Sequence, residues 1–150
     1  MKKELDRAKS IGDIFSLVKQ VVRQSLGQEQ AGLLVALSDL GAAPGQLIGA
    51  FYHIAANTIV INKRPLETIP LDRWNTYLFH VLLHEYLHSL GYQDEMQVQD
   101  LVEQITRQHI GVDVPTDLSS FMPYVVFGEP RNLRIDYISG IDRSNTDYIL

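Results

Sequence analysis

Cysteine is absent from this 150-residue chain, which excludes disulfide staples and thiolate metal sites. Basic charge is also in short supply. The formal net charge is −5 and no Lys/Arg stripe runs through the sequence, so nucleic-acid binding has little support. No apolar run is long enough to cross a bilayer. Met1 to Ser10 is mostly charged and polar, with no apolar stretch behind it that would read as a signal peptide. The expectation is a cytoplasmic protein with no membrane association. Internal repeats and low-complexity linkers are missing too, so residues 1–150 are expected to form one domain, large enough for a real core.

What the chain does have is concentrated between Val81 and Asp94. His84-Glu85-Tyr86-Leu87-His88 reads HExxH, and Gly91 and Asp94 follow at three-residue steps. Imidazoles four residues apart lie on one face of a helix, one turn from each other, and can grip a single metal ion. Glu85 lies between them and can reach a water on that ion. Gly91 permits a sharp turn, so that Asp94 can swing back as a third ligand. The surroundings suit a buried helix: Tyr77, Leu78, Val81, Leu82, Tyr86, Leu87 and Leu90 repeat at helical spacing, with Asp72 expected as N-cap and Gly91 as the stop. An all N/O ligand set suits one hydrolytic Zn²⁺ per chain, although another divalent metal would also fit it.

The pattern His84-Glu85-x-x-His88-x-x-Gly91-x-x-Asp94 resembles the metzincin signature with aspartate in place of its last histidine, as in the snapalysin group. That resemblance implies a methionine turn beneath the metal, and Met122 within Ser119-Ser120-Phe121-Met122-Pro123-Tyr124 stands in a suitable place. In the astacin and serralysin branches a tyrosine two positions after that methionine assists at the metal. Tyr124 has that spacing. The resemblance implies Met122 as packing support and Tyr124 as a hydrogen-bond donor to the oxyanion.

Asp94 has a second reading. Asp94-Glu95-Met96-Gln97 is also a capping box, opening a helix whose Val98, Leu101, Val102 and Ile105 form an apolar face. The third ligand would then be a later carboxylate, Glu95, Asp100 or Glu103, in an arrangement similar to the gluzincins, where a second helix supplies a glutamate. His80, His84 and His88 form a helical row of about 12 Å, too long for one ion to touch both ends. His80, His53 and His109 are therefore left outside the metal set.

Upstream, Ser10-Ile11-Gly12-Asp13 opens a helix with an apolar stripe through Leu26, closed by Gly27. Leu33–Leu37 reads as a buried strand, and Leu47–Ile54 and Thr58–Asn62 as a hairpin around Ala55-Ala56-Asn57. The expected fold is α+β and zincin- or metzincin-like. It comprises a small twisted mixed sheet, a backing helix, an active-site helix and a short C-terminal subdomain, with an upper part over about 1–91 and a lower part over about 92–150. Thr58–Asn62 reads either as an edge strand above the metal, where a substrate backbone would pair, or as an ordinary core strand. From Val125 to Leu150 the chain either completes the lower half or lies across the cleft.

The expected function is a zinc-dependent metalloendopeptidase acting on peptides or unfolded protein, with Glu85 as general base. A non-catalytic zinc-binding protein or peptide-binding module using the same site is the alternative. The glutamate between the histidines favours catalysis, because a structural site has no use for a base.

Overall fold

Ser10 begins the first long helix by accepting a hydrogen bond from the Asp13 amide at 3.0 Å, and Gly27 ends it in the left-handed conformation at φ 65°. This and the rest of the molecule come from a computed structural model that describes residues 1–41, 47–121, 125–126 and 147–149. A short helix α1 (Lys2–Arg7) precedes this helix, α2 (Ile11–Leu26). Ile11, Ile14, Phe15, Val18, Val21 and Val22 of α2 are buried.

Then come the strands β1 (Leu34–Ser38), β2 (Leu47–Ile48), β3 (Ala50–His53) and β4 (Thr58–Asn62). The expected hairpin is present in part: the strand read over Leu47–Ile54 is split at Gly49, and its second piece, β3, pairs antiparallel with β4, Ala50 opposite Ile61 and His53 opposite Thr58. Asn57 takes a positive φ of 47° in its turn, a conformation that asparagine tolerates better than most residues. β1 lies parallel to β4, and β6 (Asp147–Ile149) lies antiparallel to β1, so the mixed sheet runs β3-β4-β1-β6. β5 (Val125–Val126) pairs in parallel with β2.

This order decides between the two readings of Thr58–Asn62: it is a core strand, not an edge. β4 has a neighbour on each side, and all five of its side chains are buried. Its backbone groups are committed to β3 and β1. Among the described residues, β3 is the edge on that side of the sheet.

The motif helix α3 (Trp74–Ser89) begins later than expected. Asp72 does not cap it, because Leu71–Arg73 forms a 3₁₀ turn after Pro70 and the Asp72 carboxylate pairs with Arg73 instead. Trp74 locks the junction by donating its indole N–H to the Ile69 carbonyl at 2.9 Å. From Thr76 to Leu87 every residue of α3 is buried except the partly buried His80. Such a helix has no solvent face, and its sequence is accordingly apolar on nearly all sides. It is covered by α2, by β3 and β4, by α4 (Glu95–His109) and by α5 (Val114–Phe121). Among the described residues no helix is long and apolar enough to span a membrane.

Candidate metal centre

α3 ends in a Schellman turn. The Gly91 amide donates to the His88 carbonyl at 3.0 Å, and the Tyr92 amide reaches back to Leu87 at 3.2 Å. This geometry places Gly91 at φ 108°, which favours glycine. The chain then reverses into α4. Asp94 caps that helix: its Oδ1 accepts from the Met96 amide at 2.9 Å and from the Gln97 amide at 3.3 Å. Glu95, the first residue of α4, is thereby aimed back at α3.

The two histidines of HExxH meet Glu95 rather than Asp94. His84 Nε2 lies 3.0 Å from Glu95 Oε2, and His88 Nε2 lies 2.7 Å from Glu95 Oε1. One ligand atom from each of the three residues falls within 4.8 Å of the other two, so His84, His88 and Glu95 form a group that could hold a metal ion. Two imidazole nitrogens and one carboxylate match the donor set of a catalytic zinc site that keeps a position open. Asp94, expected as the third ligand, is exposed and engaged in capping. Glu103 is exposed further along α4 and pairs with Arg107 at 2.6 Å, while Asp100 is exposed as well; neither joins the group.

The histidines are prepared for this task in different ways. His84 is fully buried, and burial pushes its pKa down to about 3, with the nearby His88 and His80 acting in the same direction. It is neutral at pH 7, with a lone pair available to a ligand. His88 Nδ1 lies 2.7 Å from the Tyr92 carbonyl oxygen. A carbonyl only accepts, so Nδ1 carries the proton in this bond and Nε2 faces Glu95. His80, one turn earlier, is held down to about 4 by burial and is not in the group. His53 accepts from the Ala56 amide and His109 bonds to Ser25, so both have structural partners outside the group.

Glu85 is only 2 % exposed, and its Oε1 is buried with no hydrogen-bond partner. Burial raises its pKa well above the usual carboxylate value, and the negative charge of Glu95 adds to the effect. The backbone amide of Tyr52 pulls in the opposite direction by hydrogen bonding to the carboxyl. A buried carboxyl with an unsatisfied oxygen costs stability, so such a group commonly marks a functional position. Tyr52 belongs to β3, so the edge strand and Glu85 meet at the site.

Met122 and Tyr124, the expected methionine-turn residues, lie outside the described residues, as does most of the C-terminal segment. Sequence reasoning did not anticipate the Tyr52 amide or the Tyr92 carbonyl, since a backbone contact leaves no residue-type signature. Comparisons with protein-family models, curated proteins and solved structures gave no match for this chain.

Proposed function

We propose that this chain is a zinc-dependent peptidase, with the metal held by His84, His88 and Glu95 and with Glu85 as the general base. The ligand set is then the gluzincin-like alternative, not the metzincin-like one that uses Asp94. The observation carrying this reading is the convergence of two imidazole Nε2 atoms and one carboxylate beside a second, buried carboxyl whose Oε1 has no partner. A structural zinc site ordinarily has four protein ligands and no neighbouring base; only three ligands converge among the described residues.

A zinc ion held by His84, His88 and Glu95 would supply Lewis acidity for amide hydrolysis, and its positive charge would offset the burial that favours neutral Glu85. Glu85 would then serve as general base toward a water and as proton donor to the leaving amine. The Tyr52 amide steadies the carboxyl while Oε1 stays available. β3 is the sheet edge next to Glu85, so a peptide extended along it would gain backbone hydrogen bonds as an added strand. The expected substrates are peptides or unfolded segments, which can adopt that extended form.

The test combines zinc content by elemental mass spectrometry with a peptide-library assay, using Glu85→Gln as control. About one zinc per chain and cleavage that disappears in Glu85→Gln would support the proposal. Zinc-loaded protein that cuts no member of the library would favour the non-catalytic metalloprotein.

A further inference from the structure

Gly91 lies outside the ligand triad, in the turn that leads the chain from α3 to Glu95. Its φ of 108° stands at the point where α3 hands over to the turn. The residue after it, Tyr92, is fastened in three places. Its amide donates to the Leu87 carbonyl at 3.2 Å, its carbonyl accepts from His88 Nδ1 at 2.7 Å, and its phenol donates to Gln28 Oε1 at 2.9 Å. The last of these reaches across to the loop after α2. The adjacent Gln30 amide of that loop also donates to the Tyr86 hydroxyl at 3.1 Å. The Tyr92 carbonyl is thus held from the backbone and from a distant loop, and it meets the outer nitrogen of a ligand histidine.

We infer that Gly91 is a positioning residue for metal binding: its left-handed turn sets the Tyr92 carbonyl against His88 Nδ1, which fixes the ring's orientation and directs Nε2 into the triad. This rests on the metal-site reading given above and specifies what makes that site tight. A partner for the non-ligating nitrogen selects the tautomer and raises the basicity of the ligating one, and losing such a partner commonly costs 10–100-fold in metal affinity.

A Cβ built on Gly91 meets nothing within 4 Å, so an alanine there introduces torsional strain but no clash. Gly41 offers a comparison away from the site. It has a positive φ of 74°, has nothing within 4 Å of a built Cβ, and is hydrogen-bonded to Asp39 and Asn62, not to any residue that fastens Tyr92. Gly41→Ala and Gly91→Ala both strain a positive-φ position, but only the second lies beside a proposed ligand.

The experiment measures the zinc dissociation constant by chelator competition for the wild type, Gly91→Ala and Gly41→Ala, with His88→Ala as the reference for a lost ligand. It also follows the His88 Nδ1 proton by ¹⁵N-edited NMR. Gly91→Ala is expected to weaken zinc binding by about 10–100-fold and to lose the exchange-protected Nδ1 proton, while Gly41→Ala keeps wild-type affinity and retains that proton. Two results would overturn the inference while leaving the metal site standing: Gly91→Ala binding zinc within about twofold of wild type with the proton intact, or Gly41→Ala weakening binding as much as Gly91→Ala. A wild-type chain that binds zinc no better than His88→Ala would remove the metal reading itself and this inference with it.

Discussion

Neighbouring acids at the start of α4 have opposite duties, and exchanging each for alanine separates them. Asp94 accepts from two backbone amides as N-cap, at 2.9 and 3.3 Å. Its loss should cost about 1 kcal/mol, as for other caps, and lower Tm by roughly 2–4 °C in a chain of this size. If all of that were lost from metal binding as well, the zinc dissociation constant would rise only about fivefold. Glu95 approaches both imidazoles, at 3.0 and 2.7 Å, and is about 39 % exposed. Glu95→Ala takes a partner from the buried His84 and from His88, so it too should lower the Tm of chelated protein, by an amount comparable with the cap; unlike Asp94→Ala, it removes the single anionic donor of the triad. Removing a ligand outright should exceed the 10–100-fold loss typical of an outer partner, so a weakening of at least about 100-fold is expected. The assay is a chelator competition on each variant, paired with thermal melts in excess chelator. The reasoning fails if the order is reversed, with Asp94→Ala losing zinc and Glu95→Ala keeping it.

Other perturbations address the remaining roles. Glu85→Gln should keep zinc near one per chain and lose hydrolysis; full turnover in this variant would remove the general base. The same variant has a pH signature in chelated protein. The folded-state pKa of Glu85 is raised above its unfolded value, so its contribution is most favourable below about pH 4.5 and is lost as pH rises. The stability gained by Glu85→Gln over wild type should therefore widen with pH in urea melts at pH 5, 7 and 8, and a constant gap would contradict the burial argument. Zinc at 100 times its dissociation constant should stabilise the fold by about 2.7 kcal/mol, raising Tm by roughly 5–11 °C over chelated protein. A melt unaffected by zinc would count against binding to the native state.

Periodicity and caps made much of the scaffold legible. The Ser10 and Gly27 signals bound α2, and the two apolar runs flanking Asn57 contain β3 and β4. Edge and interior strands were harder to tell apart: Thr58–Asn62 has the same apolar composition either way, and the neighbour that covers β4, β1, comes from a separate stretch of chain. At the candidate site, residue types single out His84, Glu85 and His88, whereas which of the adjacent acids meets the histidines depends on local geometry. Asp94 takes the N-cap position, as the capping-box pattern allowed, and Glu95, one residue on, approaches both imidazoles. Asp72 failed as a cap for a similar local reason, since Pro70 starts a 3₁₀ turn that the helical pattern does not reveal.

The three proposed ligands differ in their access to solvent. His84 is 1 % exposed, His88 16 % and Glu95 39 %. Solvent therefore reaches the triad from the α4 side, while the α3 wall is closed by packed side chains. If the triad holds a metal, as proposed, an entering ion would meet Glu95 and His88 before the buried His84, and a chelator would approach it from that same side.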